Sequence, residues 1–434
     1  MKKTDLNLNR RKFLSMAGLA TTAGLTGGPA WAANTLSDVG STANQPSVIE
    51  SVKDIPVPPN KAATIIESKT ILKQAGTRLG YGTEYKLNTN GHVVISNKVI
   101  EPNRYIGWPT LAKTKEGELI VAFSGDRDAH VCPWGKTQII RSNDQGKTWS
   151  AVETVNNTPL DDRDAGILQT AKGTLLVSWF TSLAFENPKY EAAFQRYSRV
   201  GEKMPKETRE KWLGNWVRRS EDGGKTWLEP SRTTVSAPHG PMQLKDGRLL
   251  YIGNGYWKGD KNALLIEESA DDGRTWKVIA HLPRPAGSII NLNEPHLLEL
   301  KSGKILAMVR HEPKDISQCF LMQSESTDGG KSWTPLHQTP IWGYPPHLTL
   351  LKNGWVMVVY GYRREPFGER ACISRDEGKT WDIDNEIILT GAASRDLGYP
   401  SSVQLDDKSI LTVYYQAEKF GEAPSLMSTH WKLK

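Results

Sequence analysis

The stretch NEPHLLELKSGKILAMVRHEPKDISQCFLMQSESTDGGKSW, residues 293–333, decides the fold. It opens with two polar residues, Glu294 and His296, and its second apolar run ends on a charge, Arg310. A third run leads into a turn rich in Ser, Asp and Gly, residues 326–333. Short apolar runs separated by Gly-containing turns are typical of antiparallel strands. The stretch therefore predicts one small antiparallel sheet with charged residues at one end.

The turn at the end of this sheet recurs along the chain. The pattern Ser-x-Asp-x-Gly-x-(Thr/Ser)-Trp covers residues 142–149, 220–227, 269–276, 326–333 and 374–381. Ser and Asp side chains accept hydrogen bonds from free backbone N–H groups, Gly permits positive φ, and Trp buries a large ring beside the hairpin. Copies spaced by about one small sheet predict a ring of four-stranded blades, a β-propeller. We assign these turns a structural role.

The repeats predict an all-β protein of six blades, with seven as the less favoured count. The last blade, 399–431, has no turn box of its own, and residues 92–100 alternate as a strand does. We therefore expect 92–100 to be the outer strand that closes the ring and protects its edges. Blade two has a surplus, residues 184–215, which is charged and aromatic at helical spacing and predicts a helical insertion.

The N-terminus predicts export by the twin-arginine route. Arg10 and Arg11 precede a short, weakly apolar run and the small-residue site 30–32. The apolar run is too short to anchor the chain in a membrane. The chain then divides into a signal peptide over 1–33, a polar linker over 34–60 and a propeller catalytic domain over 61–434. We expect a periplasmic or secreted protein.

Charge and cysteine usage narrow the classes of partner. The net charge is +7, but the signal carries five basic residues against one acidic residue, so the remainder keeps +3. This mild excess favours an anionic partner and makes no case for nucleic acid. Three cysteines, Cys132, Cys319 and Cys372, imply no disulfide framework. His130 and Cys132 alone are a weak metal signal, and we expect no metal or organic cofactor.

Polar side chains take positions where a packed strand would carry Val or Ile. Counting back from each Gly-containing turn places four residues at corresponding positions: Trp108, Asp164, Glu294 and Tyr399. Arg163, His239, His296 and His347 lie close by in the sequence. The first strands of a propeller begin around the mouth of its channel, so these side chains are expected to converge there. Such convergence indicates a binding site.

The chain resembles the Asp-box sialidase superfamily over nearly all of the length after the signal. Glu294 and Arg310 resemble the family's buried Glu and one of its carboxylate-binding arginines. Gly398-Tyr399-Pro400-Ser401-Ser402-Val403, with Tyr414-Tyr415, resembles the strand of its tyrosine nucleophile. Arg363 or Arg364 stands near another family arginine, and we take Arg364 for that position. The resemblance implies hydrolysis by a Tyr that a Glu activates.

Two features of the family pattern are replaced. Gly107-Trp108-Pro109 stands where the family has Arg-Ile-Pro, and the loop around His130 stands where it has an acidic Asp. His, Tyr and Arg around a carboxylate also suit β-elimination from a uronic acid. Propeller ulvan lyases, including polysaccharide lyase family 25, are similar in this respect. The matching types here are His130, Tyr190 or Tyr197, and Arg196, Arg199 or Arg209.

Three interpretations follow, of which we favour a secreted enzyme that degrades an acidic polysaccharide by β-elimination, with a uronate glycan such as ulvan as substrate. The alternatives are a sialidase-like retaining exo-glycosidase that uses Tyr399 and Glu294, and a glycan-binding propeller without catalysis. The catalytic candidates are His130, Tyr197, Tyr399 and Glu294. The substrate-binding candidates are Arg127, Arg163, Arg209, His239, Tyr256, Arg310, His347 and Arg364. All interpretations require His130, Arg310 and Tyr399 to meet at one cavity.

Overall fold

The computed structural model describes most of the chain after the N-terminal 56 residues. The described ranges are 57–73, 84–87, 93–96, 105–127, 129–186, 205–257, 260–284, 291–419 and 422–434. Within them the protein is all-β apart from one short α-helix and a few 3-10 turns. Six four-stranded antiparallel sheets form the propeller, so the prediction of six blades is confirmed.

The first three blades follow each other along the chain, each built from consecutive strands. Blade one contains β4 (Tyr105–Lys113), β5 (Leu119–Arg127), β6 (Lys136–Ser142) and β7 (Glu153–Asn156). Blade two contains β8 (Asp161–Gln169), β9 (Leu175–Ser182), β10 (Asn215–Ser220) and β11 (Ser231–Thr233). Blade three contains β12 (Met242–Gln243), β13 (Leu249–Trp257), β14 (Asp260–Ser269) and β15 (Lys277–His281).

The next blades repeat the arrangement, and the last one borrows a strand. Blade four contains β16 (Asn291–Glu299), β17 (Ile305–Glu312), β18 (Phe320–Ser326) and β19 (His337–Trp342). Blade five contains β20 (Pro346–Leu350), β21 (Val356–Tyr362), β22 (Gly368–Ser374) and β23 (Ile387–Gly391). Blade six contains β24 (Leu397–Gln404), β25 (Ile410–Gln416), β26 (Ser425–Leu433) and the early strand β1 (Ala63–Leu72).

The strand that closes the ring differs from the one expected. β1 pairs antiparallel with β26, from Ala63 opposite Leu433 to Leu72 opposite Leu426. The expected closing segment contains β3 (Val93–Ser96), which instead pairs with β2 (Glu84–Leu87) in a separate two-stranded hairpin. Alternation alone cannot choose between two short strands, because both present the same period. The prediction that residues 92–100 close the ring was therefore wrong.

The five repeated turns join the third and fourth strands and fasten neighbouring blades. In the turn at 326–333, the Gly330 N–H donates to Ser326 Oγ at 3.0 Å, and the Ser332 N–H donates to Asp328 at 2.9 Å. In the turn at 374–381, the Trp381 indole donates to Gln323 of blade four at 3.0 Å. Apolar clusters fill the seams between blades, as where Met308 of β17 packs with Val358 of β21. The structural role of the turns is confirmed.

The insertion in blade two begins with a 3-10 turn at Ala184–Glu186 and ends with α1, Lys206–Trp212. Residues 187–204, including Tyr190, Arg196, Tyr197 and Arg199, lie outside the described part of the chain. The helical character predicted for the insertion is confirmed at α1, which packs Trp212 against Trp216 with ring centroids 5.9 Å apart. Among the described residues, no helix has the length and apolar character needed to cross a bilayer.

Candidate active site at the channel mouth

Four blades place a bulged residue at the same point of their first strand. Trp108, Asp164, Glu294 and Tyr399 have φ of 54°, 52°, 46° and 52° respectively. At each of them the ladder to the second strand shifts register. Such left-handed backbone is unusual for residues other than Gly and re-aims a side chain out of the regular pleat. The correspondence inferred by counting along the sequence is confirmed.

Tyr399, Glu294 and Arg310 form a continuous hydrogen-bonded row. The Tyr399 hydroxyl donates to Glu294 Oε1 in a short hydrogen bond, and Arg310 donates to Glu294 Oε2 at 2.5 Å. Glu312 accepts from the other end of the Arg310 guanidinium and is held by Asn293 at 3.0 Å. Arg310 was expected to need an anion from a ligand. The protein instead supplies two carboxylates of its own, which raise the pKa of Arg310 against the opposing effect of burial.

Burial and the charges around it keep Tyr399 in its phenol form. Its side chain is only 5% exposed, and burial, followed by Glu294 and Asp164, raises the pKa of Tyr399 well above its ordinary value. A neutral phenol is a weak nucleophile, so reaction requires a base that takes its proton as it attacks. Glu294, already hydrogen-bonded to the hydroxyl, is in the position to be that base.

The second arginine of the site is Arg363 rather than Arg364. The Arg363 guanidinium lies 5.5 Å from the ring centre of Tyr399 and 5.2 Å from that of Tyr344. Its Nε and Nη2 are buried without a hydrogen-bond partner in the described structure. Arg364 is exposed and stacks on Trp342 and Tyr362. Both arginines lie directly after the end of β21, and the sequence alone left open which of them enters the site.

Glu369 does not neutralise Arg363. Both carboxyl oxygens of Glu369 are buried without a partner in the described structure, and burial raises its pKa well above the ordinary value even though Arg363 opposes that shift. Burial therefore favours the protonated, uncharged form of Glu369. A third arginine, Arg395, donates to the Tyr344 hydroxyl at 3.3 Å, and Arg310 stacks on the same ring at 4.2 Å. Three guanidinium groups thus surround Tyr344.

His130 belongs to a polar cluster that the sequence predicted only in part. Its Nδ1 lies 2.8 Å from the Tyr105 hydroxyl and 3.6 Å from Asp396. Asp396 accepts hydrogen bonds from Tyr105 and Tyr415, each at 3.0 Å. Burial lowers the pKa of His130, and Asp396 partly opposes this effect. The His130 side chain is still 42% exposed, so it can be reached from solvent, and a lowered pKa favours the neutral imidazole that can act as a base.

Trp108 joins the two clusters into one site. Its ring centre lies 5.0 Å from that of His130 and 6.4 Å from that of Tyr399. The Arg163 guanidinium lies 4.4 Å from the same indole. Trp108 thus lies next to Gly107, which stands at the position of the arginine in the Arg-Ile-Pro pattern. Through this indole and the Tyr399–Glu294–Arg310 row, contacts connect His130, Tyr399, Glu294, Arg310 and Arg163.

Arg127 and Arg209 are held by carboxylates of the protein. Arg127 is fully buried, donates to both oxygens of Asp161 at 2.6 and 2.8 Å, and also donates to the His130 carbonyl. It therefore shapes the loop of His130, and its guanidinium is occupied by groups of the protein, which favours support over the substrate binding expected for Arg127. Arg209 of α1 donates to Glu186 at 2.6 Å. That pair ties the two ends of the insertion together.

Three buried histidines cluster beside Tyr399. The ring centres of His239, His296 and His347 are 4.4 to 5.6 Å apart, and His239 lies 6.5 Å from Tyr399. His296 and His347 are stacked with an interplanar angle of 24°. A histidine binds a metal ion in the plane of its ring, and two stacked rings do not place one ion in both planes. Burial lowers the pKa of all three, that of His296 to about 3. This packing favours support over direct substrate contact for His239 and His347.

Several residues of the site escaped the sequence analysis or fall outside the description. The sequence analysis chose Arg364 where the structure places Arg363. It also did not assign to the site six residues that come from separate blades: Tyr105, Glu312, Tyr344, Arg395, Asp396 and Tyr415. Tyr197 lies outside the described residues, and the side chain of Tyr256 is not described. Within the described part of the chain, no group of three or more His, Cys, Asp or Glu side chains is arranged to hold a metal ion.

Comparison with known proteins agrees with this architecture. A xyloglucanase of Acetivibrio thermocellus is 26% identical over 198 residues, which are 40% of this chain and 22% of that protein. A sialidase of Micromonospora viridifaciens is 26% identical over 298 residues, 63% of this chain and 42% of that protein. The chain thus spans less than half the length of these curated relatives.

Solved structures show the same fold. A protein of unknown function from Dyadobacter fermentans superposes with a TM-score of 0.65 at 22% identity, covering 86% of this chain and all of the other. The NanB sialidase of Streptococcus pneumoniae gives 0.56 at 13% identity, covering 88% and 71%. The family model described as a BNR repeat-like domain matches residues 196–413, about half of the chain. The protein therefore belongs to the BNR repeat-like family, within the Asp-box sialidase-like superfamily of β-propellers.

Proposed function

We propose that the protein is a retaining glycoside hydrolase that acts on a glycan carrying an acidic sugar. The observation that carries this proposal is the buried hydrogen bond from Tyr399 to Glu294, with Arg310 on the other oxygen of the same carboxylate. Two relatives are a sialidase and a xyloglucanase, which supports a glycan as the substrate class. The β-elimination favoured from the sequence becomes the second candidate.

The row of side chains accounts for the first half of the reaction. Tyr399 attacks the anomeric carbon while Glu294 takes the phenol proton, so a covalent glycosyl–tyrosine forms. A phenol suits a substrate with a carboxylate beside the reacting carbon, because a carboxylate nucleophile would be repelled. Arg310 holds Glu294 in place through the transfer. Water then releases the sugar with retained configuration, and Tyr399 regains its proton from Glu294.

The acidic group of the substrate is matched by Arg363. Its Nε and Nη2 are buried without a hydrogen-bond partner in the described structure, and such groups are costly unless a ligand satisfies them. A guanidinium presents paired N–H groups that fit a carboxylate in bidentate fashion. Arg310 and Arg395 approach the same tyrosine, Tyr344, and add positive charge there. We therefore place the acidic group of the sugar over Tyr344.

The test is incubation of the purified protein with a panel of sialylated glycans, uronate glycans and their aryl glycosides. Hydrolysis produces new reducing ends or free aglycone without the ultraviolet absorbance of an unsaturated uronate. Release of a first product with retained anomeric configuration, followed by proton magnetic resonance, supports a glycosyl–enzyme intermediate. Saturable binding without cleavage across the whole panel would overturn the proposal in favour of a binding propeller.

A β-elimination lyase is the second candidate because of the His130–Tyr105 pair. The 2.8 Å contact between His130 Nδ1 and the Tyr105 hydroxyl places a base and an acid side by side near Trp108. In a lyase, His130 would take the proton next to the uronate carboxylate and a tyrosine would protonate the leaving oxygen. Loss of activity in Tyr399→Phe with activity retained in His130→Ala selects the hydrolase. The opposite pattern, with ultraviolet-absorbing products, selects the lyase.

A further inference from the structure

Asp164 is a buried carboxyl group that the mechanism above does not use. Its residue is 2% exposed, and Oδ1 is buried without a hydrogen-bond partner in the described structure. Its backbone has a φ of 52°, which is uncommon outside glycine. A buried acceptor without a partner on strained backbone costs free energy, and such features concentrate at functional sites.

The position of Asp164 relates it to the reacting pair. It occupies in blade two the bulge that Glu294 occupies in blade four and Tyr399 in blade six. Its charge interacts with both residues, since Asp164 contributes to the raised pKa of Tyr399. Burial raises the pKa of Asp164, the charge of Arg163 opposes this, and Glu294 adds to it. Asp164 and Glu294 are therefore two carboxyl groups that face the same tyrosine from different blades.

A neighbour on the same strand shows what sets Asp164 apart. Asp162 is also fully buried, and burial raises the pKa of both carboxyls to about 7. The oxygens of Asp162, however, accept hydrogen bonds from Asn156 at 2.9 Å and from the Thr158 hydroxyl at 2.6 Å. Asp162 thus closes a loop, whereas Asp164 keeps an oxygen available.

We propose that Asp164 is the general acid and base of the hydrolysis: it protonates the leaving oxygen and then deprotonates the attacking water. This inference rests on the proposed glycosidase function. In the first step the Asp164 proton goes to the glycosidic oxygen as the bond from that oxygen to the anomeric carbon breaks and the bond to Tyr399 forms. In the second step the Asp164 carboxylate takes a proton from water, whose oxygen displaces Tyr399. Asp164 ends protonated, ready for the next cycle.

Such a role assigns separate tasks to the two carboxyl groups. Glu294 is paired with Arg310 and receives a hydrogen bond from Tyr399, which suits an ionised base. Asp164 has no arginine in salt-bridge contact within the described residues, which suits a group that starts protonated. Acid catalysis of this kind accelerates cleavage most when the leaving group is a poor one.

The test uses Asp164→Asn with a series of glycosides of the sugar that the wild type hydrolyses, graded by leaving-group acidity. For an alkyl or sugar leaving group we expect kcat/KM to fall by about 100-fold or more. For a strongly acidic phenol, which leaves without protonation, we expect less than about a 10-fold loss. The matched control, Asp162→Asn, should lower the unfolding temperature and leave the leaving-group dependence as in the wild type.

The outcomes separate this inference from the function on which it rests. Cleavage by the wild type with equal losses across the series in Asp164→Asn would overturn the role of Asp164 and leave the glycosidase intact. Selective loss in Asp128→Asn instead would transfer the role to that residue of the His130 loop. Absence of cleavage by the wild type would overturn the proposed function itself.

A second measurement does not depend on the substrate. The infrared carbonyl band of a protonated carboxyl should be present in the wild type near neutral pH and be reduced in Asp164→Asn. Its fading as pH rises should follow the pH at which acid catalysis is lost. If Asp164→Asn does not fold, Asp164→Ser takes its place in the comparison with the wild type, and turnover is measured with and without azide. Azide is a small anion that can attack the glycosyl–tyrosine intermediate in place of activated water. No change in the band between wild type and variant would overturn the proposal.

Discussion

At the scale of single residues, the site is decided by how each buried charge is balanced. Arg127 is fully balanced by Asp161, and Arg310 by Glu294 and Glu312. Arg363 has no carboxylate in ion-pair contact within the described residues. Burying an unpaired charge is costly. Binding of a ligand anion is a physical reason for the protein to keep such a charge at Arg363.

Replacing Tyr399, the proposed nucleophile, should abolish the proposed hydrolysis without unfolding the protein. We expect Tyr399→Phe to lower kcat by about 1,000-fold or more, because the attacking oxygen is removed. Glu294→Gln should cause a similar loss, since an amide cannot take the phenol proton. Steady-state kinetics and circular dichroism check both variants. Near-normal turnover by Tyr399→Phe would contradict the assignment.

The two adjacent arginines provide a matched pair. Arg363→Ala should raise KM, or weaken binding of an acidic inhibitor, by about 10- to 100-fold, because a hydrogen-bonded charge pair is lost. Arg364→Ala, at the exposed stack on Trp342, should change these values by less than about 3-fold. Titration calorimetry with the acidic sugar measures both. Equal effects would show that the choice of Arg363 is wrong.

At the scale of secondary-structure elements, the repeated turns hold the blades in register. In Asp328 and its equivalents, hydrogen bonds from the side chain and the backbone N–H of the Thr or Ser immediately before the terminal Trp lower the pKa of the carboxyl, to about 2 for Asp328. The turn chemistry is local, which is why the sequence motif alone identified it.

Removing one such carboxylate should loosen a blade. Asp328→Ala is expected to lower the free energy of unfolding by about 1 kcal/mol, since two backbone N–H groups lose their acceptor. The control is Asp384→Ala, an exposed aspartate of the 3-10 turn Ile383–Asn385, which should be nearly neutral. Denaturant unfolding compares them. A larger loss in the control would remove the structural role given to the turn.

A second prediction for the secondary-structure elements concerns β1, the strand that closes the ring. Ile65→Pro in β1 should destabilise the protein on the order of 2 kcal/mol, because proline interrupts the pairing with β26 opposite Trp431. Val94→Pro in the β2–β3 hairpin should cost less, since that hairpin is separate from the ring. Thermal unfolding distinguishes the two variants. If Val94→Pro were the more harmful, the closure by β1 would be wrong.

At the scale of the whole molecule, the channel histidines link stability to pH. Burial lowers the pKa of His296 to about 3 and those of His239 and His347 well below the ordinary value. Because the unfolded chain binds these protons at an ordinary pKa of about 6.5, stability is full above that pH and falls as pH decreases toward 3. The fall is therefore expected from about pH 6.5 downward.

The histidines should consequently lower the unfolding temperature between about pH 6.5 and pH 5, against an opposing contribution from Asp162 and Asp164, whose pKa burial raises to about 7. The carboxylates of the repeated turns stay ionised in this window. His347→Gln should flatten this decrease, because one of the protons taken up on unfolding is removed. Replacing the exposed His337, which lies outside the cluster, should leave the slope unchanged. Calorimetry at several pH values gives the comparison. A slope unaffected by His347→Gln would exclude the cluster as its source.

The sequence by itself determined the propeller, the six blades, the five fastening turns and the equivalence of Trp108, Asp164, Glu294 and Tyr399. These features depend on periods of two residues, on turn chemistry and on distances counted along one strand. Only the tertiary structure decided which strand closes the ring, that Arg363 and not Arg364 enters the site, that Arg127 is occupied by Asp161, and that Asp396 joins His130. The physical reason is that these outcomes depend on which side a chain faces and on which carboxylate from a distant blade lies within reach, and neither is written in local spacing.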